Sequence, residues 1–224
     1  MKGIFGIVSC DVIDSTSLEM DELIRLRKDV YSELFPDIED LYPGFWGRVV
    51  RGDTIECCLE QHEYAFRVAL LIKCWFKDWA IKHRASEQMR KSGIRYSIGI
   101  GSMRMVDRKE DFMDGEAIYI AGRNLDYISG KGIPAFFGMN SDNKDVNELI
   151  INNLLLVDNL IESSTERQLP ILHERLYGLT ETEISRKLQI TQGAVNQRAR
   201  GAGWPLIKDT LNVLEHIDYE WYVE

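Results

Sequence analysis

The apolar positions change period several times along the first part of the chain. Residues 5–11 form a short, nearly continuous apolar run that meets an acid, which reads as a buried strand. The polar break Asp14-Ser15-Thr16-Ser17 then starts a helix, and Leu23, Leu26, Val30, Leu34 and Ile38 recur at helical spacing, with Pro36 bending or ending it. Residues 46–50 and 55–59 are β-branched and aromatic runs on either side of Arg51-Gly52-Asp53-Thr54, the signature of a hairpin with a Gly-Asp turn. Residues 62–91 contain neither Gly nor Pro and carry a long apolar face through Phe66, Ala69, Leu70, Trp75, Phe76 and Trp79. Residues 94–100 read as the next strand. Residues 114–128 read as a helix with Ile118, Ala121, Leu125 and Ile128 on one face, and residues 133–137 as a last strand. The predicted order is strand, helix, hairpin, helix, strand, helix, strand, an α/β (α+β) arrangement with a mainly antiparallel sheet.

The polar stretch Asn140-Ser141-Asp142-Asn143-Lys144 interrupts this alternation, and everything beyond it reads as helix. Three parts are therefore expected: an α/β domain over residues 1–140, a connecting helix within 141–165, and an all-helical domain over 166–224. The connecting helix is strongly apolar over residues 149–161 and docks onto the first domain or onto a second subunit. Within the third part, Thr180 followed by Glu183 is a capping box, and Thr191 is a second N-cap only three residues after Leu188. Two short helices joined by a three-residue turn satisfy the spacing of a helix-turn-helix. Ile184, Leu188, Ile190 and Val195 fall where the two helices pack on each other. Gln192, Asn196, Gln197 and Arg200 then lie on the outer face of the second helix, where amide and guanidinium groups suit base edges in a major groove. Arg186, Lys187 and Arg198 are positioned to reach phosphates. Gln189 occupies a turn position that tends to be left-handed and favours glycine, at a cost of roughly 1 kcal/mol. A supporting helix is expected over residues 206–217, with Ile207, Leu211 and Leu214 facing the motif. The aromatic tail Tyr219, Trp221 and Tyr222 packs or lies in an interface. The competing reading of this segment is a helical hairpin that only packs or dimerises.

Composition narrows the classes without choosing among them. The chain has 224 residues and a net charge of −9, which argues against indiscriminate coating of nucleic acid and puts the weight of any DNA reading on a local basic face. No apolar run approaches the ~18 residues of a membrane span. The first residues are expected to form a strand rather than a secretory signal, so a cytoplasmic location and no membrane partner are expected. Cys10, Cys57, Cys58 and Cys74 show no C-x-x-C spacing and sit in apolar segments, as buried reduced thiols do. The four histidines are scattered, without zinc-site spacing.

Three short motifs together resemble class III nucleotide cyclase domains: residues 8–16, a strand ending in Asp11; the hairpin Arg51-Gly52-Asp53; and Ile98-Gly99-Ile100-Gly101 followed by residues 115–123. The resemblance implies a ferredoxin-like, nucleotide-cyclase-like sheet with helices. It also implies that Asp11 and Asp53 hold a metal, Mg²⁺ or Mn²⁺, that neutralises a nucleotide's phosphates, and that Arg123 contacts phosphate. Asp14 is a further ligand or a helix cap, and Asp11 and Asp53 read equally as turn and cap residues. The sequence departs from the family where its catalytic asparagine falls, at Tyr119, and where its purine-selecting residues fall, at about Gly47 and Phe112. Over most of its length the chain also resembles SatD-like proteins, small bacterial proteins with a Gly-Asp hairpin, a Gly-Ile-Gly strand and an Ala-Arg helix. Many of them end in a GLT-x-x-EI helix-turn-helix like the one at Gly178-Leu179-Thr180 with Glu183-Ile184.

The expectation that follows is a DNA-binding transcriptional regulator whose cyclase-like domain senses a nucleotide or metal, or dimerises. A homodimer would bring two recognition helices to half-sites about one helical turn apart. The alternative is a metal-dependent nucleotide-binding or nucleotide-processing enzyme whose helical tail merely packs.

Overall fold

The computed structural model describes residues 3–50, 52–140 and 144–222. Six strands form one sheet: β1 (Ile4–Val12), β2 (Trp46–Val50), β3 (Thr54–Leu59), β4 (Ile94–Asp107), β5 (Phe112–Gly115) and β6 (Ala135–Met139). Its main path is β2-β3-β1-β4-β5, with every neighbouring pair antiparallel, while β6 lies parallel to the first half of β4. The order β2-β3-β1-β4, with helices between β1 and β2 and between β3 and β4, is the split β-α-β order of ferredoxin-like sheets. The strand expected at residues 94–100 sits inside this sheet and runs on to Asp107, where β5 pairs with it.

Side chains of β1 alternate between two cores. Val8, Cys10 and Val12 face a large core built with the long helix α3 (Ala65–Lys82), whereas Ile7 joins a smaller one with Cys58, Met103, Met113, Ala117 and Ala121. The smaller core lies under α5 (Glu116–Ser129). All four cysteines are buried free thiols, as expected. Burial pushes the thiols of Cys58 and Cys74 up to about 12, so both stay protonated and inert.

Several helix boundaries differ from the sequence reading. Ser15–Ser17 is only a 3-10 turn, and the helix proper, α1 (Met20–Asp29), begins after Glu19. A π-helical turn, Val30–Leu34, then leads into α2 (Phe35–Leu41). Pro36 stands at the start of α2, where a missing N–H is tolerated, so the chain continues as helix beyond it. The apolar stretch 62–91 is not one helix. Arg84 adopts a left-handed φ of 50°, Ala85 N–H bonds back to Ala80 C=O at 3.0 Å, and a short helix, α4 (Glu87–Lys91), restarts behind a Ser86 cap. This is a Schellman-type end with arginine where glycine usually stands, so the sequence carries no visible stop signal. Residues 112–115 form β5 rather than the beginning of a helix, so α5 begins at Glu116.

The expected polar boundary falls on residues 141–143, which lie outside the described residues. Beyond it come α6 (Lys144–Glu162), α7 (Leu169–Leu176), α8 (Glu181–Lys187), α9 (Gln192–Gly201) and α10 (Trp204–Leu214). α6, α7 and α10 dock on α3, and charge reinforces the contact. Arg67 makes a bidentate bond to Glu215 at 2.7 and 2.8 Å, Lys73 pairs with Asp158 at 2.5 Å and Glu162 at 2.8 Å, and Lys77 pairs with Glu162. Ile207, Leu211 and Leu214 of α10 face this main core rather than α8 and α9, a correction to their expected role. Tyr219 is fully buried, stacks on Phe66 and donates to Leu214 C=O at 2.8 Å, while Trp221 stays exposed. Of the aromatic tail, Tyr219 packs into the core and the half-buried Tyr222 packs against it.

Candidate functional site

Two clefts flank α5. The first, about 340 Å³, is lined by Ser9 and Asp11 of β1, Asp53 and Glu56 of the β2–β3 hairpin, and Asp126 of α5. The hairpin presents Asp53 because Gly52 takes a φ of 89°, a conformation that glycine adopts without strain. α5 comes close because β4 carries Gly99, where a Cβ would lie 2.4 Å from Ala117 C=O. Asp11 and Asp53 thus share one cleft. Asp11 is not free, however: Arg95, its partner in the β1–β4 register, donates from Nε to Asp11 Oδ1 at 2.6 Å. Burial pushes the Asp11 carboxyl up, Arg95 opposes this, and the nearby Asp53 charge adds to the rise. The hydroxyls of Ser9 and Ser97, cross-strand partners, are buried without a hydrogen-bond partner among the described residues. Among the described residues, no group of three or more His, Cys, Asp or Glu side chains is arranged to hold a metal ion. Two carboxylates, one of them tied to an arginine, supply only part of the oxygen shell of a hard cation. Asp14 takes a left-handed φ of 54°, and its side chain neither caps the next turn nor lines this cleft.

The second cleft, about 570 Å³, opens on the other flank of α5 and holds Arg123, together with Ser102, Arg104, Glu116, Tyr119 and Asn140. Arg123 and the Asp11–Asp53 pair therefore do not meet within one chain. Tyr119 donates to Asp114, Arg104 bonds both Asp114 at 2.8 Å and the Tyr119 hydroxyl at 3.2 Å, and the Arg123 guanidinium lies 5.8 Å from the Tyr119 ring. The bond from Tyr119 holds the Asp114 carboxyl below its ordinary range. Gly47 is closed off, since a Cβ there would lie 2.6 Å from the Phe35 ring. Sequence reading missed Arg95, Arg104 and Asp126. The alternation Met103-Arg104-Met105 extends the strand pattern past Gly101 and would have flagged Arg104.

The third candidate surface is built by α8 and α9. Thr180 accepts from Glu183 N–H at 3.3 Å, and Glu183 in turn accepts from Thr180 N–H at 2.8 Å, which completes the capping box. Thr191 Oγ1 accepts from Ala194 N–H. Gln189 holds a φ of 53°, the left-handed turn its position requires. Ile184, Val195 and Ala199 are buried with Ile171 of α7, and Leu188, Ile190 and Trp204 pack on them. Gln192, Asn196, Gln197 and Arg200 are exposed, as are Arg186 and Lys187, while Arg198 is half-buried. Some are already engaged: Gln192 donates to Thr182 Oγ1 at 3.0 Å, Asn196 to Glu181 at 2.9 Å, and Lys187 to Glu174 at 2.7 Å. Among the described residues, none forms a side-chain hydrogen bond or ion pair with Arg186, Gln197, Arg198 or Arg200. Arg175 and Lys208 line an open groove beside Arg200, and neither was singled out from the sequence.

No protein-family model matches the sequence, and no curated protein matches it either. Among solved structures, the chain is similar to a bacterial light-regulated adenylyl cyclase, at 17% identity and a TM-score of 0.43 over 60% of this chain and 75% of that one. It is also similar to an adenylate/guanylate cyclase/hydrolase from Silicibacter pomeroyi, at 23% identity and a TM-score of 0.41 over 56% of this chain and 69% of that one. Among the described residues, no helix is long and apolar enough to cross a membrane.

Proposed function

We propose that the protein binds DNA through α9, with α8 supporting it as the first helix of a helix-turn-helix, and that the sheet domain carries the regulatory ligand. The observation that carries this reading is the outer face of α9. Its inward positions Val195 and Ala199 are buried, whereas Gln192, Asn196, Gln197 and Arg200 face solvent. The helix holds two arginines and no acid, in a chain of net charge −9. Groups of this kind pair with base edges, and each good contact is worth roughly 1–3 kcal/mol of discrimination. The test is selection of binding sequences from a random duplex pool by the full chain, followed by anisotropy titration of the selected duplex. Arg200→Ala and Asn196→Ala should each weaken the selected site while leaving binding to random duplex little changed. Failure of the pool to enrich any sequence would defeat the DNA reading.

A second reading attaches to the α5 clefts, because two carboxylates, Asp11 and Asp53, line the same one. It is a nucleotide-binding site using Mg²⁺ or Mn²⁺, with Arg123 as a phosphate contact. Since Arg123 opens into the other cleft, one nucleotide would need residues of two chains to touch all three. No cyclisation of a nucleotide is expected. The side chain at the position of the cyclase asparagine is Tyr119, a phenol bonded to Asp114 and unable to present an amide.

A further inference from the structure

α6 carries two apolar seams, of which the fold buries one fully and the other only at its ends. Ile150, Leu154, Val157 and Ile161 are buried in the main core, together with Asp158, which Lys73 neutralises. On the adjoining face, Val146, Leu149, Asn153, Leu156 and Leu160 follow one another at intervals of three, four, three and four residues. This is the a-d-a-d-a repeat of a coiled-coil seam, with leucines at both d positions and an asparagine at the central a position. Leu149 is 62% and Leu156 is 68% exposed, while Val146 and Leu160 are half-buried at the ends, Leu160 lying under Gly203. Single exposed leucines need no explanation, but a periodic stripe along a 19-residue helix does.

The geometry points to a second copy of this chain as the occupant, joined α6 to α6 about a two-fold axis. Two chains of net charge −9 repel, yet between Leu149 and Leu160 the sole charged residue is Asp158, which is buried and paired. The flanking exposed positions, Asn152 and Asn159, are uncharged. A neutral strip that runs for about 17 Å at 1.5 Å per residue lets two such chains approach there without like-charge contact. In a parallel pair, where a positions face a positions, Asn153 meets Asn153 of the second copy. Its Nδ2 donates to Leu149 C=O at 2.8 Å, which leaves the side-chain carbonyl free to accept across the axis. A lone asparagine at an a position fixes register and favours pairs over larger bundles. α10 packs beside α6 and follows α9 after only Ala202 and Gly203, so this contact would also set the spacing of two α9 helices.

The test uses the full chain and reads mass by light scattering on a sizing column at tens of micromolar. The wild type runs at twice the chain mass. Leu149→Glu with Leu156→Glu runs as a monomer that stays folded, melting lower only by the stabilisation the dimer supplied, because both side chains are already exposed. Asn153→Asp sets two like charges against each other and weakens the dimer by about tenfold or more at neutral pH. Asn153→Cys, the one accessible thiol in a chain whose native cysteines are buried, gives a disulfide-linked dimer on mild oxidation. A monomeric wild type at this concentration, or a dimer indifferent to the double glutamate variant, overturns the assignment. Neither result bears on whether α9 enriches a DNA sequence.

Discussion

Arg95 and Asp11 face each other across the β1–β4 ladder, with Nε donating to Oδ1 at 2.6 Å in the cleft that also holds Asp53. The arginine takes one of the two Asp11 oxygens, and its positive charge opposes a cation beside them. Asp11 and Asp53 therefore form a stronger metal pair if Arg95 is displaced or turns to the phosphates of a nucleotide.

The relationship sets a competition that calorimetry and thermal melts can read. If a nucleotide–metal complex binds here, Mg²⁺ or Mn²⁺ with a nucleoside triphosphate raises the thermal midpoint, and ligand at about 100 times its dissociation constant adds about 2.7 kcal/mol. Asp53→Asn removes that shift and keeps the fold, since the side chain lies in a surface turn. Arg95→Gln frees Asp11 and tightens binding of Mn²⁺ alone. If neither the wild type nor Arg95→Gln responds to any cation or nucleotide, the cleft is structural.

Gly99→Ala is expected to destabilise the chain by about 1–3 kcal/mol, the usual range for overpacking. The added Cβ would meet Ala117 C=O at 2.4 Å and Ala121 N at 2.9 Å, both backbone atoms that cannot rotate away. Urea unfolding followed by circular dichroism gives the number. An unchanged midpoint would mean that α5 does not press on β4 as closely as described.

Much of this architecture was legible because it follows from periodicity. The runs at residues 5–11, 46–50, 55–59 and 94–100 all became strands, and Thr180, Glu183 and Thr191 cap the helices they were assigned. What escaped notice depends on contacts that local pattern does not encode. Arg84 ends α3 in a left-handed conformation without a glycine to announce it. β5 is four residues long and exists because the second half of β4 offers it an edge. Of the site, Asp11 and Asp53 were brought into one cleft as their motifs implied. The separation of Arg123 onto the other flank of α5, and the capture of Asp11 by Arg95, are tertiary facts that no spacing along the chain reveals.

Gln189→Gly should stabilise the protein. Gln189 holds a φ of 53° and Ile190 N–H bonds to Ser185 C=O at 3.1 Å, the closing bond of a turn that glycine enters without strain. Relief of the left-handed penalty, less the greater backbone freedom of glycine when unfolded, leaves a gain of about 0.5–1 kcal/mol. A denaturant midpoint that falls instead would show that the Gln189 side chain contributes more than its backbone costs.

Acid should loosen the contact between α7 and α8 through Glu174. This carboxylate is buried, which resists its ionisation. The adjacent His173 ring and the Lys187 ammonium, 2.7 Å away, outweigh that and hold it below the ordinary glutamate range. A lowered folded-state value means that its stabilising contribution is fully present above the ordinary glutamate value of about 4.3 and fades as pH falls through the lower one. Glu174→Gln should therefore melt below the wild type at neutral pH, and the gap should narrow as pH falls through the lowered Glu174 value and the carboxylate takes up its proton. Parallel melting curves across that range would contradict the pairing.

If α9 binds DNA as proposed, Arg186 and Arg200 separate two kinds of contact within the same surface. Arg186, near the end of α8, is exposed and unpaired among the described residues, and in a helix-turn-helix the first helix lies across the backbone rather than in the groove. Arg200 stands on the outer face of α9 beside Asn196, which belongs to the group expected to meet base edges. Arg186→Ala should consequently weaken selected and random duplexes alike, and the slope of log affinity against log salt should become shallower by roughly one contact's worth, about 0.9. Arg200→Ala should relax the preference at one base position of the selected site and change the random duplex far less. Anisotropy titrations of both duplexes at several salt concentrations distinguish the two patterns. Equal losses on both duplexes for both variants would reduce the surface to a nonspecific cationic patch, with the bases unread.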